Sequence, residues 1–362
     1  AGGWPGVLAL PAGPRPPPLH IVGYQLRVPG AGDDVGKLET LLMGNPDLTQ
    51  EISPERFNTE AWLHLPRRAA LLDDVHAFDC AALGVKPIEA RSMDPQQGLV
   101  MEVGQVALAH GGLPGPDPEG GRRGAVSLGL MNGDFLEMPS EAEADNFFAV
   151  GAARSMVGNR FAYHQDLRGP CVTVDTACSS ALVAAHLAEA FLRQGTADFA
   201  VFAGVNALLN VRSWNGCAKF RMISDQSRPF STYASGYVRG EGAGAMVARL
   251  GVAGAGPPLA EILGSSVNCD GASAAPITKP SGPTQEQCLR AAWADLAHAC
   301  LAVEAHAAGT MGDPIEAAAI GKTVGRRDGQ HALVGASKSN SGHLEGAVGQ
   351  LHLAKVLFQI RA

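Results

Sequence analysis

A chain of 362 residues, 46% hydrophobic and 17% charged, carries enough apolar material for a large core, which excludes an intrinsically disordered protein. The formal net charge of −7, with no Lys/Arg block, offers no basic face for nucleic acid and argues against an anionic membrane surface. No stretch is long and apolar enough to span a bilayer, and the 7 cysteines, odd in number and without a Cys-x-x-Cys pair, argue against a disulfide framework or a structural metal site.

The residues from Ala1 to Pro18 are rich in Gly and Pro and read as a linker, not a signal peptide. Apolar residues at helical spacing predict a helix over Leu99–His110, followed by a strand at Gly124–Leu130 and another at Cys171–Val174. A helix is expected over Ser180–Leu192, then strands at Phe199–Phe202 and Gly244–Leu250. Gly251–Pro258 concentrates glycine and proline and is the clearest internal break. Beyond it come a strand at Leu259–Leu263, a weaker helical pattern at Gln285–His298 and a strand at Ala332–Gly335. Strands alternating with helices imply an α/β protein whose sheets are covered on both faces. The cysteine usage fits a reducing intracellular compartment, cytoplasmic or organellar.

Cys178 stands between Asp175-Thr176-Ala177 and a run of good helix formers, so strand, sharp turn and helix start converge on its thiol. Free N–H groups and the positive end of the helix dipole favour thiolate there, which makes a nucleophile. On this segment alone a small buried hydrophobe is as good a reading. Two downstream segments each follow a short apolar run and present a His among small residues: His306 within Val303–Glu316, and His343 within Ser337–Ala347. A histidine near neutral pKa moves protons or donates hydrogen bonds at physiological pH.

These segments resemble the ketosynthase (β-ketoacyl synthase) domain of polyketide synthases, within the thiolase-fold condensing enzymes. Asp175–Ser180 matches the family's Asp-Thr-Ala-Cys-Ser-Ser motif, Glu304–Glu316 matches in part the motif around its first His, and Lys338–Glu345 matches the motif around its second. Met93–Gln97, Gly169-Pro170, Gly204–Asn206 and Gly236–Gly242 match further motifs in the same order. The resemblance covers roughly residues 20–361. It implies an α/β thiolase fold of two similar halves in an α-β-α-β-α core. A linker would occupy residues 1–19, the nucleophile half 20–250, and the half with both His motifs 251–362, which the family pattern extends further.

By the same resemblance, Cys178 accepts an acyl group and a malonyl-type extender on an acyl carrier protein loses carbon dioxide. The enolate so formed attacks the acyl-Cys178 thioester. His306 and His343 would stabilise the developing oxyanion, Lys338 would orient their network with Glu345 in support, and Thr310 would contact the pantetheine arm. Lys338 read by itself is a surface lysine at a strand end. The family implies a homodimer, an acyl carrier protein and other polyketide synthase domains as partners, and no bound cofactor or metal, the substrates riding on the carrier's phosphopantetheine. Fatty-acid elongation stays open as a pathway.

The first His loop departs from the pattern: Ala307 and Ala308 replace Gly-Thr, and His306–Gly312 is one residue short. Gly98 stands where the family commonly has Arg. The altered loop keeps two further readings open: a homologue that decarboxylates or transfers acyl groups without elongating, and a non-catalytic partner protein. Asp175 and Asp313 are expected to brace loops, Glu316 to sit at a helix start, and Met93–Gln97 to be structural.

Overall fold

The structure, a computed structural model, describes residues 17–58, 64–117, 120–138, 146–251, 257–293, 300, 302–324 and 332–361. Its strands are β1 (Leu19–Arg27), β2 (Gln50–Glu51), β3 (Arg68–Ala69), β4 (Gly124–Leu130), β5 (Cys171–Val174), β6 (Phe199–Asn206), β7 (Gly242–Leu250), β8 (Ala260–Ile262), β9 (Ala302–Glu304) and β10 (Leu333–Gly335). Six of them form one mixed sheet in the order β5-β4-β6-β7-β1-β8. β5, β4 and β6 run parallel, and β7, β1 and β8 extend the sheet by antiparallel pairing. The other half of the molecule contributes the parallel pair β9 and β10.

β6 shows why this sheet lies inside the molecule. Its sequence, Phe-Ala-Val-Phe-Ala-Gly-Val-Asn, is buried at every position, as a central strand covered on both faces must be. Val201, Ala203 and Val205 pack into one core with Val100, Val103 and Ala107 of the Pro95–His110 helix and Phe161 of the Arg154–His164 helix. Ala200 and Phe202 point the other way, toward Ala188 and Leu192 of the Ser180–Arg193 helix and Leu351 and Leu357 of the Val348–Arg361 helix. The period-2 alternation of a strand thus supplies two cores from one segment.

The strands and helices predicted above are present, with ends moved by a few residues. The helix predicted from Leu99 begins at Pro95, where the Asp94 side chain accepts from the Gln96 N–H and caps the first turn. The helix predicted over Gln285–His298 runs Gly282–Trp293, and 294–299 fall outside the described residues, as do 252–256 of the expected break and 1–16 of the linker. β1 and β9 are absent from the expectation drawn above. β1 interrupts its apolar run with His20, Gly23 and Gln25, and β9 is only three residues long. Met93–Gln97 is a buried polar brace: Gln96 donates to the Asn132 carbonyl, and Gln97 donates to the Gly151 carbonyl while accepting from Arg160. At Gly98 a Cβ would lie 2.8 Å from the Phe78 ring, so that ring fills the space a longer side chain would need.

The nucleophile helix approaches the sheet through glycine. A Cβ at Gly129 on β4 would sit 2.5 Å from the backbone N of Ala181, and one at Gly204 on β6 would sit 2.8 Å from the Ala181 Cβ. The first of these neighbours is main chain and cannot rotate away. Replacing Gly129 with Val should therefore lower stability by about 3 kcal/mol, the upper part of the overpacking range. Urea unfolding checks this, and a loss below about 1 kcal/mol would mean that the helix start is not pressed onto β4.

Candidate active site

Cys178 sits on a tight turn between β5 and the Ser180–Arg193 helix, half-buried. The turn is held by its own side chains. Asp175 accepts from the Ala177 N–H at 3.0 Å, Ser180 Oγ accepts from the Thr176 N–H at 2.9 Å and donates to the Ala177 carbonyl at 2.6 Å, and Ser179 Oγ donates to the Thr176 carbonyl. These bonds keep Ala177 at φ +55°, a left-handed conformation that costs a non-glycine residue roughly 1–2 kcal/mol. Ser179 and Ser180 are first-turn residues, and Asp175 is a loop brace that also pairs with Arg154 at 3.3 Å. His186, further along the helix, bonds to Ser265 at 2.7 Å.

Burial pushes the Cys178 thiol up to about 12; the Glu345 carboxylate adds to this, while the Lys338 ammonium opposes it. The surroundings thus favour the thiol, against the expectation that the helix start favours thiolate.

His306 follows β9. Its backbone N–H and that of Ala307 donate to the two oxygens of Glu316 at 2.6 and 2.8 Å. Glu316 lies in the first turn of the Asp313–Thr323 helix, and there it anchors the His loop besides sitting at the helix's positive end. Asp313 braces the same loop, accepting from the N–H groups of Phe230, Gly309 and Thr310. Ala307, which replaces the family's glycine, is at φ +36°, so the loop retains a turn that favours glycine despite the substitution. Thr310 Oγ1 accepts from the Gly312 N–H at 3.3 Å, which leaves its proton to donate elsewhere.

Lys338 and His343 come from the short Lys338–Ser341 helix and the turn after it, both fully buried. The surface reading of Lys338 is thereby excluded. Its Nζ donates to the His306 carbonyl and lies 3.3 Å from His352 Nε2. It does not act together with Glu345 by hydrogen bond. Glu345 instead accepts from Arg239 Nε at 2.6 Å and Nη2 at 2.9 Å, from Asn206 Nδ2 at 3.2 Å, and from Asn132 Nδ2.

The backbone N–H of Glu345 donates to His343 Nδ1 at 2.9 Å. That bond leaves the proton on Nε2, which is buried and has no hydrogen-bond partner. The His306 and His343 rings lie 5.5 Å apart, centroid to centroid, at 78°, and Tyr237 stacks edge-on against His343 at 4.6 Å. Burial and then the Lys338 charge push both imidazoles below their ordinary pKa. His306 keeps a solvent-accessible side, yet protein surrounds the rest of the ring and Lys338 acts in the same direction. Both shifts favour the neutral imidazole. The structure thus brings Cys178, His306, Lys338 and His343 into one electrostatic neighbourhood, with Thr310 at its loop and Glu345 beneath it. Arg239, Glu316 and His352 complete it; Glu316 was expected at a helix start, Arg239 falls inside a quoted motif, and His352 carries no signal in the sequence reading.

A model of the β-ketoacyl synthase N-terminal domain matches residues 17–250, and one of the C-terminal domain matches residues 259–362. The chain belongs to the β-ketoacyl synthase family. Among curated relatives of this synthase chain are a hybrid PKS-NRPS synthetase from a Fusarium species, 36% identical, and a highly reducing polyketide synthase from a Dothideomycetidae species, also 36% identical. Each match covers 95% of this chain, but it spans only 9% and 14% of those much longer proteins. Among solved structures, the ketosynthase from module 6 of the Bacillus subtilis bacillaene synthase matches with a TM-score of 0.85 at 29% identity, over 95% of this chain and 61% of that one. The oxazolomycin ketosynthase domain of Streptomyces albus matches equally well at 28% identity, over 95% of this chain and 63% of that one. The fold is thus the α/β thiolase fold that the resemblance implied. No described helix is long and apolar enough to cross a membrane.

Two outcomes test this geometry. Arg239→Met should cost about 3–5 kcal/mol in urea unfolding by leaving Glu345 buried and unpaired, and adding Glu345→Gln should recover part of the loss. In ¹⁵N spectra, His343 should remain the neutral Nε2–H tautomer from pH 6 to 8; an imidazolium signal there would contradict the buried site.

Proposed function

We propose that this chain acts as a polyketide-type β-ketoacyl synthase in which Cys178 carries the growing acyl group. The observation that carries the reading is His343: its Nδ1 is committed to the Glu345 N–H, which leaves a buried, unpartnered Nε2–H in ring contact with His306 and close to the Lys338 ammonium, which in turn acts on the Cys178 thiol. A pre-oriented neutral donor in a desolvated site suits an oxyanion that forms only during reaction.

In the loading step, Cys178 Sγ attacks the carbonyl carbon of an acyl thioester. The sulfur must shed a proton, because burial holds it as the thiol. His343 cannot accept that proton, since one ring nitrogen carries a hydrogen and the other already accepts one. His306 takes it only as the new S–C bond forms, since its own basicity is lowered, and it returns the proton to the departing pantetheine sulfur as the old C–S bond breaks. In the second step the malonyl-type extender loses its carboxyl group as carbon dioxide. The electron pair moves onto the thioester oxygen, where the N–H groups of His306 and His343 receive it. The enolate carbon then attacks the acyl-Cys178 carbonyl; the new C–C bond forms, the C–S bond to Cys178 breaks, the freed sulfur takes a proton from water to return to the thiol, and the β-ketoacyl chain leaves on its carrier. Thr310 supplies a hydroxyl donor for the pantetheine arm, and Lys338 holds the His306 main chain and counters negative charge on Cys178. Both substrates arrive on the phosphopantetheine of an acyl carrier protein.

A homodimer fits the open side of β5, the strand at the end of the sheet, whose four residues are all half-buried. An edge of this kind is normally covered, and a second copy can cover it.

Intact-protein mass after exposure to an acyl-pantetheine thioester should show one acyl adduct on the parent and none on Cys178→Ala. His343→Ala should keep the adduct yet lose about 10²-fold or more in malonyl decarboxylation, the cost of one oxyanion donor. A folded parent that takes up no acyl group would sink the reading and favour a non-catalytic partner.

A further inference from the structure

His352, on the Val348–Arg361 helix, has no part in the chemistry above, yet it is buried against it. Its Nε2 lies 3.3 Å from Lys338 Nζ on one side and 4.0 Å from Glu304 Oε1 on the other. Glu304 is already committed, accepting from Lys355 Nζ at 2.7 Å and from the Ser337 N–H at 2.5 Å. Lys338 spends one donor on the His306 carbonyl. A fully buried ammonium needs more than one acceptor to remain charged, and His352 stands where the next one is required.

We propose that His352 is a positioning residue of the site: a neutral imidazole whose Nε2 accepts from Lys338, keeps that side chain an ammonium seated on the His306 carbonyl, and so sustains the positive charge that acts on Cys178. The neutral form is the one the surroundings permit. The charged and titratable groups facing the ring are Lys338, Lys355, Glu304, His306 and His343; burial comes first, and Lys338, His306 and Lys355 all push the imidazole well below its ordinary pKa. Burial likewise pushes Lys338 down to about 8, so an acceptor bond decides how much of it is charged near neutrality. The inference rests on the reading of Cys178 and Lys338 as one site, and its test uses alkylation, which needs no condensation activity.

The experiment is the rate of Cys178 alkylation by iodoacetamide at pH 8, read by peptide mass on the whole chain. His352→Leu should slow alkylation about threefold to tenfold, a fraction of the effect of a nearby charge on a thiol. His352→Gln, whose amide oxygen can occupy the Nε2 position, should recover most of the rate. Lys338→Met should slow it similarly, and His352→Leu should add nothing on the Lys338→Met background. Parent-rate alkylation in folded His352→Leu, or a full additional loss on the Lys338→Met background, would overturn the proposal and leave His352 as packing. Should the Leu variant not fold, a His352→Gln rate as slow as that of Lys338→Met overturns it equally.

Discussion

The buried ion pair between Arg239 and Glu345 is the constraint on which the site depends. Both side chains are essentially inaccessible, at 1% and 0% exposure, and a carboxylate taken out of water at such a position must have its lone pairs filled. Arg239 fills two directions, and Asn132 and Asn206 fill the others. These partners come from the end of β6, the segment after β4 and the segment before β7. One carboxylate therefore ties the central sheet to the segment that carries the second His. Such a pair contributes little net stability compared with an apolar replacement. What it supplies is position: Glu345 sits at φ +46°, and that backbone aims its N–H at His343 Nδ1. The protonation pattern of the imidazole is thus set by a main-chain group whose place is set by an ion pair.

The same arrangement recurs around the other two functional loops, where an anionic or hydroxyl side chain holds a backbone that would otherwise relax. Ala177 and Ala307 both occupy the left-handed region without being glycine. Asp175 and Ser180 hold the first, and Glu316 and Asp313 hold the second. Roughly 1–2 kcal/mol of strain at each position is of the order of one or two such hydrogen bonds, and bonds to a charged acceptor are the stronger kind. The substitution of Ala307 for glycine is tolerated on these terms. The departure that cast doubt on the first His loop leaves His306 anchored at its own N–H and within ring contact of His343.

Much of this was legible in the sequence because the informative segments are short and local. Cys178 could be placed at a helix start from the residues on either side of it, and β4, β6 and β7 announce themselves as apolar runs. The roles within the site were less legible, since they depend on contacts across long separations. Glu345 pairs with a residue 106 positions away, and Lys338 reaches a carbonyl 32 positions away. No local pattern says which cation meets Glu345: the family resemblance set it in support of Lys338, and the structure pairs it with Arg239. His352 was invisible for a related reason. In a helix of mostly apolar residues one histidine reads as packing, and only the fold shows an ammonium on one side of it and a carboxylate on the other.

The thiol shows how burial can reverse a sound local argument. A cysteine at a helix N-terminus is ordinarily acidified by the dipole and the free N–H groups. Here the N–H groups on either side of Cys178 are spent on closing the turn: Ser180 takes the Thr176 N–H, Asp175 takes the Ala177 N–H, and the Ser180 N–H donates to the Ala177 carbonyl. Desolvation then dominates, with Glu345 adding to it and Lys338 the one charge opposing, beside a hydrogen bond from the backbone of Cys178 itself. A site built this way favours the protonated sulfur at rest. Neutral sulfur is also less prone to adventitious oxidation than an exposed thiolate. The cost is that reactivity depends on the few charges that reach the sulfur, and among those Lys338 alone favours the nucleophile. If Cys178 is the nucleophile as proposed, the groups that hold Lys338 in place belong to its chemistry as much as Lys338 does.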